Sequence, residues 1–210
     1  MNRTERQKRI RRRRIRRRLF LCCLALALCA GLALTLLPRG SVIAQDDIEL
    51  PDWITVDLLP VNPWSRPGSR LRAVNGVVVH YVGNPGTTAA QNHSYFESLA
   101  ETQATKASSN FLIGLDGEIL LNVPMDEVAF CSNSRNNDTL SIECCHPDET
   151  GAFTQETYDS LVRLLRWLCG LYELSPKDDV IRHYDVTGKQ CPLYYVKNPN
   201  AWDALLRQLQ

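Results

Sequence analysis

An α/β domain carried behind one N-terminal apolar helix is the architecture this sequence predicts. Between residues 62 and 210, short β-branched runs bounded by turn residues alternate with stretches of helical periodicity. A nineteen-residue uncharged run stands near the start of the chain, directly behind a block of arginines. With 44% apolar residues in a chain of 210, there is enough apolar material for one ordinary core and little more.

The N-terminal segments come first. Residues 1–18 hold eleven Lys or Arg against Glu5 alone, so this arm carries about +10 while the whole chain carries +1. The rest of the chain is therefore acidic, at about −9, and arm and body are expected to face different surroundings. Residues 19–37, Leu19 to Leu37, would extend roughly 28 Å as a helix at ~1.5 Å per residue, close to the hydrocarbon thickness of a bilayer. Arginines before such a run stay cytoplasmic by the positive-inside rule, which puts everything after Leu37 outside the cell membrane. A retained signal-anchor is favoured over a cleaved signal peptide ending near Val42-Ile-Ala-Gln45, because the apolar run exceeds a usual signal core. Leu28 stands where a lipoprotein signal ending at Cys29 needs a small residue, so Cys22, Cys23 and Cys29 read as apolar filling. The membrane span accounts for the arginines, and no nucleic-acid partner is expected. Residues 38–61 read as an extracytoplasmic linker, interrupted by Pro51 and Pro60, although Trp53 and Ile54 to Leu59 suggest that part of it packs. The compact domain is expected over 62–210.

Within it, Gly76 to Val82 reads as a buried strand with His80 near its end. Thr87 to Thr105 reads as a helix capped by Thr87 or Thr88, with Tyr95, Phe96 and Leu99 on one face and His93 at its surface without an evident partner. Phe111 to Leu121 is a hairpin about Asp116-Gly117. Thr139 to Cys145 is a strand whose alternation puts Leu140, Ile142 and Cys144 on one face and Ser141, Glu143 and Cys145 on the other. A carboxylate at Glu143 is costly there unless it meets a cation or takes part in chemistry. Thr154 can cap a helix over Phe153 to Leu174, with Leu161, Leu164, Leu165 and Leu168 in one stripe. Val180 to His183 is a short strand, and Ala201 to Leu209 a terminal amphipathic helix.

The chemistry concentrates in His183-Tyr-Asp-Val-Thr-Gly-Lys-Gln-Cys-Pro192. Zinc takes neutral imidazole and thiolate together, and catalytic zinc sites use three protein ligands with a fourth position open. His80, His183 and Cys191 would supply three. A rival cluster, Cys144, Cys145 and His146, converges poorly because adjacent strand residues face opposite ways. Cys131, Cys144, Cys145 and Cys169 leave disulfide pairing open, with buried thiols as the plain alternative.

Four segments carry a resemblance: Val77 to Gly86, Ser108 to Glu118, Asn137 to Glu143 and His183 to Pro192. In that order they resemble the zinc-dependent N-acetylmuramoyl-L-alanine amidases of the type 2 family, which includes phage T7 lysozyme and the peptidoglycan recognition proteins. The resemblance covers roughly residues 70–208. It implies a mixed central sheet flanked by helices, with Zn2+ held by His80, His183 and Cys191 in a groove that binds peptidoglycan. The implied reaction is hydrolysis of the amide between N-acetylmuramic acid and the first L-alanine of the stem peptide. Glu143 falls on the acid/base glutamate of one branch and Lys189 on the family lysine two residues before the third ligand, suited to stabilising an oxyanion. Where another branch has a tyrosine and a histidine, this chain has Ser109 and Asn110. Where many relatives have a histidine in an Ala-His-Ala-Gly-like segment, it has Ala129-Phe-Cys-Ser-Asn133. A monomer is expected, and the alternative function is a non-catalytic peptidoglycan-binding module of the same fold.

Overall fold

Six strands build one mixed sheet in the order β1-β4-β3-β5-β2-β6. They are β1 (Ile54–Val56), β2 (Val77–Tyr81), β3 (Phe111–Ile113), β4 (Ile119–Leu121), β5 (Leu140–Cys144) and β6 (Val180–Arg182). Six α-helices are described, in chain order α1 (Ala89–Thr102), α2 (Gln155–Tyr172), α3 (Pro176–Asp179), α4 (His183–Thr187), α5 (Leu193–Lys197) and α6 (Pro199–Gln208). The computed structural model describes residues 40–209. The basic arm and the expected anchor at 19–37 lie outside the described residues, and no helix among the described residues is long and apolar enough to cross a membrane.

The two faces of the sheet are covered differently. Val77 and Val79 of β2, Phe111 and Ile113 of β3, and Leu140, Ile142 and Cys144 of β5 join the larger core, which also takes the α2 stripe of Leu161, Leu164, Leu165 and Leu168. Each such leucine, fully buried, stabilises the fold by roughly 1.5–3 kcal/mol relative to exposure. Thr154 starts α2 as its N-cap, accepting from the Thr157 amide at 3.0 Å, and its hydroxyl also donates to the Leu115 carbonyl at 2.7 Å. That second bond ties the start of α2 to the β3–β4 hairpin. On the opposite face, Ala89, Phe96 and Leu99 of α1 pack with Leu59, Leu112, Val123 and Ala129 in a smaller cluster. Thr88 caps α1 in a reciprocal capping box with Gln91.

Parallel pairing of β2 with β5 sets the register on which the site rests: His80 lies opposite Glu143. Because side chains alternate along a strand, the residues next to each in sequence, Val79 and Ile142, turn into the larger core. The expected hairpin forms, with β3 and β4 antiparallel and Phe111 opposite Leu121.

Two expectations are corrected. Part of the segment expected to be linker enters the sheet: β1 pairs in parallel with β4, and the Asp57 and Leu59 amides extend the pairing to Leu121 and Asn122 carbonyls at 3.1 and 2.9 Å. Pro51 and Pro60 flank this run rather than interrupt it, so its amides remain free to pair. His93 is not on the helix surface without a partner. It is buried, its Nδ1 lies 2.9 Å from Asn122 Oδ1, and its Nε2 is 3.7 Å from Asp57 Oδ2. Its partners follow β1 and β4, so spacing within α1 alone could not reveal them.

Asn110 is wholly buried. Its side chain accepts from the Ser141 amide at 3.0 Å and donates to the Pro124 carbonyl at 3.1 Å, joining the entrance of β3 to β5. Replacing it with alanine takes away the acceptor of the buried Ser141 amide, while the Pro124 carbonyl keeps the Glu127 amide at 3.0 Å. Asn110→Ala is therefore expected to lower unfolding free energy by about 1–3 kcal/mol in urea titrations, with the site residues still in place.

Candidate metal centre

The end of β2 delivers His80 and the start of α4 delivers His183, both buried. Cys191 arrives through the loop that follows. The Tyr184 amide donates to the Cys191 carbonyl at 2.9 Å and closes that loop. Gly188 makes the turn possible: it ends α4 in the left-handed region at φ 77°, which a side chain would disfavour.

The three residues converge. One ligand atom each from His80, His183 and Cys191 lies within 4.8 Å of the others. The two imidazole rings have centroids 4.5 Å apart, and Cys191 Sγ sits 3.7 Å from His80 Nδ1. A second group, His80, Cys131 and Glu143, meets the same distance criterion and shares His80. Neither group includes Cys144, Cys145 or His146. Cys144 is in the core, Cys145 lies 3.6 Å from Asn92 Nδ2, and His146 stacks on Tyr81. Cys131, Cys144, Cys145, Cys169 and Cys191 are all free thiols.

Burial decides the electrostatics. It holds the His80 imidazole well below its ordinary pKa, with the neighbouring His183 and Lys189 adding to the effect. Burial also lowers His183, again helped by Lys189. Both rings are thus neutral near pH 7 and offer lone pairs. The Cys191 thiol is pushed up to about 12, first by burial and then by Glu143, against the opposing Tyr81 backbone N–H and Lys189. Two neutral imidazoles and one thiol that a cation would deprotonate are a donor set suited to zinc, so the residues present fit that ion.

Glu143 completes the centre. Burial raises its carboxyl to about 8, although the Cys131 thiol and Lys189 pull the other way. Cys131 Sγ lies 3.5 Å from Oε1, while the buried Oε2 has no partner. Lys189 is exposed, and with Glu143 it lines a groove of about 420 Å³ walled by Asn84, Thr87, Gln91 and Tyr95. All five residues expected at the site, His80, His183, Cys191, Glu143 and Lys189, therefore gather on one side of the sheet's β2–β5 region.

Sequence reasoning missed the turn that touches them. Ser132 Oγ lies 3.2 Å from His80 Nε2, and Asn133 Oδ1 lies 2.8 Å from His183 Nε2. The signal available in the sequence was the departure at Ala129 to Asn133, which by itself pointed to no contact with the histidines.

Comparisons with known proteins identify a family and several relatives. A family model described as N-acetylmuramoyl-L-alanine amidase matches residues 70–193. The chain is 30% identical over 164 residues to the N-acetylmuramoyl-L-alanine amidase BlyA of Bacillus subtilis (strain 168), covering 69% of this chain and 43% of that protein. It is 31% identical over 157 residues to the amidase CwlL of Bacillus licheniformis, again covering 69% and 43%. The chain thus spans less than half the length of these curated relatives. Among solved structures, the catalytic domain of XlyA matches with a TM-score of 0.63 at 23% identity, over 75% of this chain and 99% of that one. A selenomethionine derivative of AmpD matches at 0.52 with 21% identity, over 77% and 99%. At those identities the structures speak to the fold, a mixed sheet flanked by helices.

The Glu143 carboxyl generates a prediction about the metal-free protein. Its folded pKa is raised, so the native state holds the proton more tightly than the unfolded chain, and its contribution to stability falls as pH rises from about 4.5 to about 8. Glu143→Gln removes that dependence. Chemical denaturation without metal should show the variant gaining on the parent by about 3–4 kcal/mol between pH 5 and pH 8, and a constant difference would contradict the assignment.

Proposed function

The chain belongs to the N-acetylmuramoyl-L-alanine amidase family, and we propose that it hydrolyses the amide joining N-acetylmuramic acid to L-alanine in peptidoglycan, using zinc. The observation that carries this reading is the convergence of His80, His183 and Cys191 beside Glu143. The names of the relatives support the same bond as the substrate.

His80, His183 and Cys191 would hold the ion, two neutral nitrogens and one thiolate leaving a net charge of about +1. Zinc bound there would supply Lewis acidity, polarising the amide carbonyl and making water a better nucleophile near neutral pH. Glu143 accepts the proton of the attacking water on its carboxylate and returns it to the nitrogen of the departing L-alanine amine. Its raised pKa suits both halves of that shuttle, since a carboxyl near neutrality can take and give a proton at working pH. Lys189 stands at the groove and offsets the negative charge that develops on the carbonyl oxygen as it becomes tetrahedral. Hydroxyl and amide groups of Asn84, Thr87 and Gln91 along the groove can pair with the peptide and sugar of the polymer. The apolar run at 19–37 after the basic arm supports a location outside the cytoplasmic membrane, where that polymer lies.

Purified chain incubated with muropeptide and zinc should release free stem peptide, detected by mass spectrometry, and chelation by EDTA should stop the release. Cys191→Ala and Glu143→Ala should each remove it, and binding without cleavage in the parent would replace the enzyme with a receptor of the same fold. Lys189→Ala should lower kcat by about 10²-fold while zinc content stays at that of the parent.

A further inference from the structure

Three consecutive side chains each reach a different residue of the centre. Cys131 Sγ lies 3.5 Å from Glu143 Oε1, Ser132 Oγ lies 3.2 Å from His80 Nε2, and Asn133 Oδ1 lies 2.8 Å from His183 Nε2. No regular strand or helix could do this with neighbours, since successive side chains diverge there. The chain achieves it by turning: Asn133 adopts φ 51°, a left-handed conformation that asparagine tolerates better than most residues, at the start of a 3-10 turn over Asn133–Arg135.

The turn is itself fastened from within. Asn136 Oδ1 accepts from the Cys131 and Ser132 amides at 3.2 and 2.6 Å. The Arg135 amide donates to the Ser132 carbonyl at 2.9 Å, and the Arg135 guanidinium pairs with Asp138 at 2.8 Å. Ser132 is 1% exposed, so its hydroxyl meets His80 out of solvent.

The contacts have a chemical sense. An amide oxygen only accepts hydrogen bonds, so His183 Nε2 carries the hydrogen and Nδ1 keeps its lone pair. Ser132 engages His80 through Nε2, leaving Nδ1, the nitrogen 3.7 Å from Cys191 Sγ. Groups that bond the second nitrogen of a ligating histidine fix both its tautomer and its ring orientation.

We propose that the Ser132-Asn133 turn is a positioning device for the metal centre, engaging Nε2 of both His80 and His183 so that Nδ1 of each is presented to the ion. This rests on the zinc reading above. Cys131 extends the same turn to Glu143, but the two histidines carry the inference.

Asn133→Gly tests it, because glycine accepts the positive φ and removes only the amide, while Asn133→Asp retains an accepting oxygen. The full chain is compared with both variants by competition for zinc with a chromophoric chelator, and by long-range 15N–1H spectra of the metal-free proteins labelled at their four histidines. The expected result is a zinc affinity about 10–100-fold weaker in Asn133→Gly, with loss of the fixed Nε2–H form at His183 and an unchanged unfolding midpoint. Asn133→Asp should stay within about threefold of the parent, since its acceptor remains. Parental affinity and an unaltered His183 tautomer in Asn133→Gly would overturn the positioning role, as would an equal loss in both variants. Failure of the parent itself to bind zinc would instead overturn the metal reading, and this proposal with it.

Discussion

The site depends on the register between two parallel strands. β2 and β5 pair so that His80 faces Glu143 across the ladder, on the side of the sheet away from the larger core. A slip of one residue would turn one of these polar side chains into the packing of Leu161, Leu164 and Leu165, and bring a valine or isoleucine out in its place. The core therefore enforces the chemistry: Val77, Val79, Leu140 and Ile142 bury on one face, and this fixes which residues remain for the other. His183 and Cys191 are brought to the same place by β6, which pairs with β2 at Val77 to Val79 and feeds directly into α4.

Placing a carboxyl, a thiol and two imidazoles together in a buried spot is unfavourable for the metal-free chain. Burial raises the first two and lowers the others, so each group is driven towards its neutral form. Neutral imidazoles are ready to ligate, while the thiol waits for a cation to remove its proton. The buried Oε2 of Glu143, which has no partner, belongs to the same pattern. A polar group left unsatisfied in a folded protein invites a functional explanation, and the zinc amidase reading supplies one.

Much of this was legible in the chain because the signals were local. The β-branched run before His80, the hairpin at Asp116-Gly117, the cap at Thr154 and the decapeptide from His183 to Pro192 each carry their structure within a short window. What escaped reading depends on partners distant in sequence. β1 joins β4 some sixty residues on, and His93 finds Asn122 only once both stand beside β1. The turn at Ser132-Asn133 escaped for a different reason: its composition is that of any polar loop, and only the fold shows that it ends against two histidines. Asn110 likewise gave no local sign that it would secure the strand ends of β3 and β5.

The central claim is that one zinc ion binds His80, His183 and Cys191. Crystals of the zinc-loaded protein measured on both sides of the zinc absorption edge test it most directly. A single anomalous peak is expected at about 2.0–2.1 Å from the two imidazole nitrogens and about 2.3 Å from Cys191 Sγ, with a position left open. A peak bonded elsewhere, or none at these three residues, would contradict it.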